Sequence, residues 1–284
     1  MMRIKNIFLL ILWCMYFMLS LWHRKSLEVS FVDVGQGDTI LVKTPNNKYI
    51  VIDGGPDLTS IYFLGKNIRN STLIDYVVLT HPHADHINGL YYFVDKSKVG
   101  KVFINDVGYS NSAWDLFVEK CKFSWSCINV GLKNHLSFII DSINFELFAP
   151  KCDGPVKNIN NCSIISLIRY NGVSFLLMGD SEKEEELWLL STYGNFVHNV
   201  TVLKAGHHCS KTASGEAFIE YTKPSLVICS VGRNNKFGHP HSEAIETFVS
   251  NNIKIFRTDQ HGSITISVLL DGRITVSIDR TYPP

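Results

Sequence analysis

The sequence is poor in several features that mark specialised classes of protein. Its 27 Lys and Arg residues almost balance its 26 Asp and Glu residues, and the net charge of +1 excludes a chain that binds nucleic acid through an overall basic charge. None of its seven cysteines forms a CxxC pair, which argues against a structural zinc ribbon. Repeats, low-complexity tracts and long linkers are also missing. The chain has 284 residues and 45% hydrophobic content, which suits one large domain or two small ones with a full core.

Long hydrophobic runs are limited to one, from Ile7 to Trp22, which carries no charged side chain. A helix of this length, at about 1.5 Å per residue, barely crosses a hydrocarbon layer of about 30 Å. Ser20-Leu21-Trp22 offers no convincing cleavage site, and the bulky Trp13 before Cys14 argues against a lipoprotein signal. The run therefore predicts an uncleaved membrane anchor, with a cleaved signal segment or a buried helix as the alternatives.

The charges that flank this run set the expected orientation. Arg3 and Lys5 precede it, and Arg24 and Lys25 on the far side weaken the bias that they create. We expect residues 1–26 to be the anchor or signal segment and residues 27–284 to be one folded domain outside the cytoplasm. If the segment is cleaved, the domain is secreted.

Cysteine spacing leaves the disulfide state open. Cys121 and Cys127 lie close in sequence, as do Cys152 and Cys162. An extracytoplasmic domain would allow both pairs to be disulfides, and free buried thiols are the alternative.

The apolar pattern predicts strands and helices in two similar halves. Residues 27–32 alternate as a half-buried strand does, and residues 58–68 have the spacing of a helix. Each half is rich in strands and ends in helices, and a hairpin turned by Asp271-Gly272 closes the chain. Two β-sheets packed back to back with helices outside would account for this order.

The densest group of metal-binding side chains follows the apolar run of residues 74–79. Residues 80–86 read THPHADH, with three histidines and one aspartate in a single turn after an expected strand. Imidazole and carboxylate groups are ligands for zinc and manganese. His81 and His83 can face one ion, and Asp85 and His86 a second. The alternative is a polar loop with an ordinary share of histidines.

Later strand ends offer further candidates. Asp180 follows an apolar strand and can bridge two cations, or cap the helix that starts at Ser181. His207 and His208 follow another strand; since adjacent side chains point apart, we expect one to bind metal and the other to line the pocket. His239 belongs to a weaker cluster that we expect to face substrate.

Several of these motifs together resemble a known family. HPHADH, the later Gly-Asp at 179–180 and a still later histidine look like the metallo-β-lactamase superfamily of binuclear hydrolases. More narrowly, FVDVGQGD at 31–38, LKAGHHCS at 203–210 and NKFGHP at 235–240 resemble the hydrolase domain of ComEC-type DNA-uptake proteins. The resemblance covers about residues 27–278 and implies an αββα sandwich, in which two mixed β-sheets pack together with helices on the outer faces.

The resemblance also implies a ligand set for two divalent ions, Zn²⁺ or Mn²⁺. The implied ligands are His81, His83, Asp85, His86, Asp180 and one of the paired histidines, which we assign as His207. The implied catalytic residues are Asp85, His208 as proton donor, and Asp33. The residues expected at the substrate are Asp38, Asn161, Ser163, Lys204, Ser210 and His239. Asn161 or Ser163 stands where other branches of the superfamily place a histidine ligand, so one ion should be held more weakly.

Two departures from the family pattern are visible. Cys209 replaces the glycine of the family's HHGS, where it could crowd the turn or offer a thiolate ligand. The many membrane helices of ComEC-type channels are also missing, so we do not expect this chain to form a DNA pore by itself.

The resemblance implies a hydrolase that uses metal-activated water. The expected substrate is single-stranded DNA, and the expected role is in competence. A separate uptake channel is an expected partner, and the membrane is contacted through the N-terminal segment. The alternatives are a phosphoesterase for a wall or lipid component, and a non-catalytic partner of a channel in which metal only stabilises the fold.

Overall fold

The computed structural model describes residues 26–68, 73–96, 98–105, 107–109, 111–124, 126–152 and 156–280, with residues 11–13 and 15. The expected anchor, residues 7–22, thus lies almost wholly outside the described residues, and its membrane role stays a prediction. Within the described part of the chain, no helix has both the length and the apolar character needed to cross a membrane.

Eight strands form the first sheet, in the order β15-β14-β1-β2-β3-β4-β5-β6. They are β1 (Leu27–Phe31), β2 (Ile40–Lys43), β3 (Tyr49–Ile52), β4 (Leu73–Val78), β5 (Lys98–Ile104), β6 (Ser126–Asn129), β14 (Ser263–Val268) and β15 (Ile274–Asp279). Strands β3 to β6 run parallel and the others pair antiparallel, so the sheet is mixed.

Seven strands form the second sheet, in the order β13-β12-β11-β10-β9-β8-β7. They are β7 (His135–Ile140), β8 (Ile143–Phe148), β9 (Ile165–Tyr170), β10 (Val173–Leu177), β11 (Val202–Lys204), β12 (Leu226–Cys229) and β13 (Lys254–Arg257). Strands β10 to β13 are parallel, and β7 to β10 are antiparallel.

Helices cover the outer face of each sheet. The described helices are α1 (Thr59–Asn67), α2 (Ala84–Lys96), α3 (Ser112–Ser124), α4 (Lys183–Val197), α5 (Glu216–Thr222), α6 (Ser242–Ser250) and the single turn α7 (Thr258–His261). The apolar side chains of α1 to α3 pack on the first sheet, and those of α4 to α6 pack on the second. A third apolar cluster fills the space between the sheets.

Strand periodicity explains how one strand serves two cores. Val78 at the end of β4 lies in the cluster between the sheets, whereas Val77 lies under the helices. Leu177 and Leu176 divide the same way in β10. Because neighbouring side chains of a strand point to opposite faces, continuous apolar runs are what a doubly covered sheet needs.

The expected αββα sandwich is confirmed, with small differences. The sequence pattern did not indicate β6 or α7, because a four-residue strand that reads SCIN and a single helical turn carry almost no periodic signal. The helix expected to start at Ser181 begins two residues later, at Lys183, and runs to Val197 as α4, with a kink at Tyr193.

The parallel strands place one group of strand ends at the same end of the sandwich. In the first sheet Asp53 follows β3, and the turn of residues 79–83 follows β4. In the second sheet Asp180 follows β10, His208 follows β11 and Ser230 follows β12. Side chains beyond the carboxyl ends of parallel strands share one edge, which is where such folds place ligand sites.

Candidate metal centre

The turn after β4 and the start of α2 form one continuous unit. The His83 carbonyl accepts hydrogen bonds from the amides of His86 and Ile87, each at 3.0 Å, and so begins the helix. His81 and His83 therefore lie on the loop, while Asp85 and His86 lie in the first helical turn. The Asp85 carbonyl also accepts from the amide of Asp38 at 3.3 Å, which joins this unit to the turn after β1.

Gly37 allows this close approach. A Cβ atom at Gly37 would lie 2.3 Å from the Asp85 carbonyl oxygen, so any side chain there would push the two turns apart. Packing against the HPHADH turn thus explains the second glycine of FVDVGQGD, Gly37.

Four of the expected side chains converge at the end of the sandwich. The Asp180 Oδ2 atom lies 3.4 Å from His86 Nε2 and 3.4 Å from His208 Nε2. The Asp85 Oδ2 atom lies 3.3 Å from His208 Nε2 and 4.0 Å from His86 Nε2. One ligand atom from each residue falls within 4.8 Å of all the others, so the group could hold a divalent metal ion.

The donor atoms themselves fit an ion. Within the described residues, the buried polar atoms that lack any hydrogen-bond partner include His86 Nε2, His208 Nε2 and Asp180 Oδ1. Buried polar atoms are seldom left unpaired, because losing water without a replacement partner costs about 1–3 kcal/mol each. Two imidazole nitrogens and carboxylates in one pocket are also the ligand chemistry of a zinc or manganese site.

Outer partners orient both histidines. His86 Nδ1 lies 2.7 Å from the Asp53 carboxylate, and His208 Nδ1 lies 3.0 Å from the Ser230 carbonyl. When Nδ1 carries the proton that these acceptors bind, Nε2 is left with a free lone pair toward the cluster, as in metal-bound histidines. Asp53 was missed in the sequence, although its position after a buried strand was the available signal.

His81 and His83 lie beside this group. His81 Nε2 is 3.0 Å from His83 Nδ1 and 3.9 Å from Asp180 Oδ2, while Thr80 and Ser163 hydroxyls lie 3.1 and 3.4 Å from His81 Nδ1. Asp180 thus faces His81 as well as His86 and His208, and His83 follows behind His81. The Ser163 hydroxyl also accepts from the Asp180 amide at 3.1 Å, so it lies beside both His81 and Asp180.

Comparison with known proteins agrees with this geometry. The sequence model of one family, the metallo-beta-lactamase superfamily, matches residues 32–232. The chain belongs to the metallo-beta-lactamase superfamily. Among solved structures, the CmlA beta-hydroxylase E377D mutant is similar, with a TM-score of 0.54 and 14% identity over 84% of this chain and 53% of that one. At this identity the likeness supports the fold alone.

Competence proteins are among the curated relatives of this superfamily member. ComE operon protein 3 of Bacillus subtilis is 29% identical over 90% of this chain and 34% of its own length. Competence protein ComA of Neisseria gonorrhoeae is 27% identical over 83% of this chain and 31% of its own length. The ComEC-type resemblance is therefore confirmed, and the chain spans about a third of the length of these relatives.

The doubled histidine of this metallo-β-lactamase fold divides its roles in the reverse of our assignment. His208 is buried in the cluster, whereas the His207 ring turns away, with Nδ1 3.0 Å from Glu182 and 3.1 Å from the Thr212 hydroxyl. Both residues adopt left-handed backbone angles, with φ of 45° and 54°. The geometry favours His208 as the ligand and leaves His207 at the edge of the pocket.

Lys204 lies inside the protein rather than at the substrate surface that the sequence predicts for it. Its side chain is 0% exposed, pairs with Asp38, and donates to the Gly179 carbonyl at 2.7 Å. Its ammonium also lies 3.9 Å from Asp180 Oδ1. An ammonium enclosed by these groups cannot reach a phosphate, so Lys204 is an internal counter-charge to the site's carboxylates.

Three other expected residues lie outside the cluster. Asp33 accepts from the Gly35 amide at 3.2 Å, and burial raises its pKa to about 6. Asn161 binds the Glu182 amide and the Glu184 carboxylate. Ser210 accepts from Thr212. Asp33 therefore makes no hydrogen bond or ion pair with Asp85, His86, Asp180 or His208 in the described part of the chain. Asn161 and Ser210 stabilise turns around these four residues.

The electrostatics of the cluster favour a cation. Burial opposes charge on both rings, but Asp180 raises the pKa of His86 well above its usual range, and with Asp85 raises that of His208 to about 9. Burial likewise opposes the Asp180 anion, but His208 and His86 hold its pKa well below the usual range. The buried carboxylates thus attract positive charge, either as protons on His86 and His208 or as a metal ion that replaces those protons.

A disulfide fixes the turn that carries His208. Cys209 is bonded to Cys229, the residue before Ser230, so its sulfur is not available as a thiolate ligand. Cys152 and Cys162 form a second disulfide, while Cys121 and Cys127 are free thiols. Cys209 has a φ of 59°, a conformation that glycine adopts without strain and other residues do not. The disulfide thus holds a turn whose left-handed backbone strains a residue with a Cβ atom.

We expect removal of this disulfide to reveal that strain. Cys209→Ala/Cys229→Ala should lower the free energy of unfolding by about 2–4 kcal/mol, because it removes the crosslink, while the Cβ at position 209 stays in the left-handed region as in the wild-type chain. Cys209→Gly/Cys229→Ala should recover about 1 kcal/mol of that loss. Urea unfolding of the metal-free proteins measures both values. Equal losses in the two variants would show that backbone strain plays no part.

Proposed function

We propose that this chain is a metal-dependent phosphodiesterase that cleaves single-stranded DNA in a competence-related role. The observation that carries the proposal is the convergence of Asp85, His86, Asp180 and His208 at the open end of the sandwich. The competence relatives support DNA as the substrate, since proteins of DNA uptake contain this domain.

The residues suggest two ion positions that share Asp180. Asp85, His86 and His208 would hold the first ion with Asp180, and His81 and His83 would hold the second. Ser163, which stands near His81 in place of a further nitrogen ligand, leaves the second position poorer in donors. Bound divalent ions supply Lewis acidity, which lowers the pKa of water and offsets the charge of a phosphoryl group.

The chain's own groups would position the reactants. The Asp85 side chain is 31% exposed, unlike the buried Asp180 carboxylate, so it can accept a hydrogen bond from the attacking water at the mouth of the site. His207 is the candidate proton donor to the leaving oxygen, because Glu182 orients its ring at the same mouth without drawing it into the cluster. These roles exchange those first assigned to His207 and His208.

The location of the reaction is part of the proposal. We propose that residues 1–26 hold the domain at the outer face of the membrane, or direct its secretion if they are cleaved. The two disulfides support an oxidising compartment, because cytosolic reductants keep most protein thiols reduced. A separate uptake channel is the proposed partner.

The test uses the full chain, kept in solution with a mild detergent, and a labelled single-stranded oligonucleotide. Cleavage is expected with added Mn²⁺ or Zn²⁺ and is expected to stop with a chelator. His83→Ala should lower the rate by more than about 100-fold, since loss of even an outer partner of a metal site costs 10–100-fold. His198→Ala is the matched control, since His198 contacts Tyr221 rather than the site.

Other results would redirect the assignment. Turnover of small phosphodiesters without cleavage of DNA would favour a phosphoesterase for a wall or lipid component. Binding of metal and DNA with no turnover would favour a non-catalytic partner of a channel.

A further inference from the structure

An exposed aromatic ring lies next to the candidate metal centre. Phe237 belongs to the loop that joins β12 to α6, and it is 53% exposed. Its ring stacks on that of His239, with centroids 5.8 Å apart and planes at 22°. The His239 ring in turn lies 6.1 Å from that of His208. Phe237 is therefore one ring beyond the cluster, at the outer side of the site.

The loop holds this ring in a fixed place. The Asn235 side-chain oxygen accepts from the amides of Phe237 and His239 at 3.2 and 3.0 Å. Its side-chain nitrogen donates to the carbonyls of Gly232 and His239 at 2.9 and 2.6 Å. One asparagine thus satisfies four backbone groups, so an exposed loop keeps a single conformation.

The loop is also joined to the turn after β1. Gln36 Nε2 lies 3.2 Å from His239 Nδ1, and the Gln36 side-chain oxygen accepts from the Gly232 amide at 3.2 Å. A Cβ atom at Gly232 would lie 2.6 Å from the backbone nitrogen of Gln36, so the close approach of the two turns requires glycine there. The FVDVGQGD turn therefore positions both the metal centre, through Asp38, and the loop that carries Phe237.

The surroundings of the ring are cationic and polar. The Lys236 ammonium lies 5.2 Å from the Phe237 ring centroid, and Arg233 is exposed on the same loop. Along the loop, Asn235, Lys236 and Gly238 flank the ring, and none of them is a large apolar residue. Protein-binding hot spots are aromatic residues within well-packed, desolvated surfaces, whereas isolated aromatics beside Lys and Arg are typical of single-strand nucleic-acid sites.

We infer that Phe237 is a stacking platform for one unpaired base of the substrate, flanking the phosphodiester that is cleaved. The inference rests on the proposed function and adds a reason for single-stranded specificity, since a paired base in a duplex has no free face. Base–aromatic stacking is stronger than a cation–π contact at an exposed site, so a base can displace the Lys236 ammonium. The freed ammonium is then available to the adjacent phosphate.

The test combines Phe237→Ala with oligonucleotides that each lack one base at a successive position. In the wild-type chain, one position near the cleaved bond should raise KM about tenfold when its base is missing. In Phe237→Ala, KM for the intact oligonucleotide should rise by the same factor and the position-specific penalty should disappear. Phe237→Trp should retain the penalty. Tyr62→Ala, which removes a ring that is 65% exposed on α1, is the matched control.

The oligonucleotide that lacks the base at the critical position separates stacking from damage to the site. Its turnover should be the same in the wild-type chain and in Phe237→Ala, and a lower turnover in the variant would show that the ring only supports the fold. An equal penalty in wild type and Phe237→Ala would overturn the platform, as would unchanged cleavage of DNA by the variant.

Binding of the same oligonucleotides, followed by fluorescence anisotropy, separates the two proposals. A position-specific penalty in binding without any hydrolysis would retain the platform and reject the nuclease. Hydrolysis without any such penalty would retain the nuclease and reject the platform.

Discussion

Asp180→Asn is expected to abolish tight binding of a divalent ion and to lower hydrolysis by well over about 100-fold. The Asp180 carboxylate is the centre of the cluster: one oxygen lies 3.4 Å from two histidine nitrogens and 3.9 Å from a third. An amide keeps the shape but removes the negative charge and one of the acceptor positions, and Asp85 alone is then left to supply negative charge to the cluster.

Two further variants should have smaller effects on metal affinity than Asp180→Asn. Asp53→Asn should lower metal affinity by about 10–100-fold, because the Asp53 carboxylate lies behind the ligands, where it orients His86 and binds the Thr80 amide and hydroxyl. Asp75→Asn should leave the metal affinity unchanged. The Asp75 carboxylate accepts from the amide of Tyr49, the first residue of β3, whereas the site lies beyond the last residue of that strand. Isothermal titration of the metal-free proteins with Mn²⁺ or Zn²⁺ measures all three affinities. Retention of wild-type affinity by Asp180→Asn would remove the basis for the metal centre.

Most of the cluster could be predicted from the sequence because strand ends are visible in it. Apolar runs precede Asp180 and the HPHADH turn, and parallel strands bring such ends to one edge. The choice between His207 and His208 was not predictable, since it depends on left-handed backbone angles and on the packing of the turn. The outer partner of His208 is the carbonyl of Ser230, and a backbone group leaves no trace in residue identity.

Lys204 shows a different limit. A lysine at a strand end next to a metal motif is most often exposed, and this was the reason to expect a phosphate contact. The structure surrounds it with Asp38, Asp180 and the Gly179 carbonyl instead. Burial of a charge becomes favourable only when opposite charges are buried with it, and sequence spacing alone did not show that Asp38 would meet Lys204 across the two sheets.

Lys204→Met is expected to lower the free energy of unfolding of the metal-free protein by about 3–5 kcal/mol. The substitution keeps most of the volume but leaves two buried carboxylates without their counter-charge. Lys43→Met is the control: Lys43 pairs with Glu28 at 3.4 Å on the surface, and loss of such a pair costs about 1 kcal/mol or less. Urea unfolding with a chelator present measures both.

The double variant Lys204→Met/Asp38→Asn tests whether charge is the cause. If it is, removal of one unpaired anion should recover at least about 1 kcal/mol relative to Lys204→Met, which is a coupling expected only between residues in contact. Added divalent metal should also stabilise Lys204→Met more than the wild-type chain, because the ion no longer competes with an ammonium 3.9 Å from Asp180. Equal stabilisation of the two proteins by metal would mean that the ammonium and the ion do not interact, and Lys204 would then be a structural residue that is independent of the site.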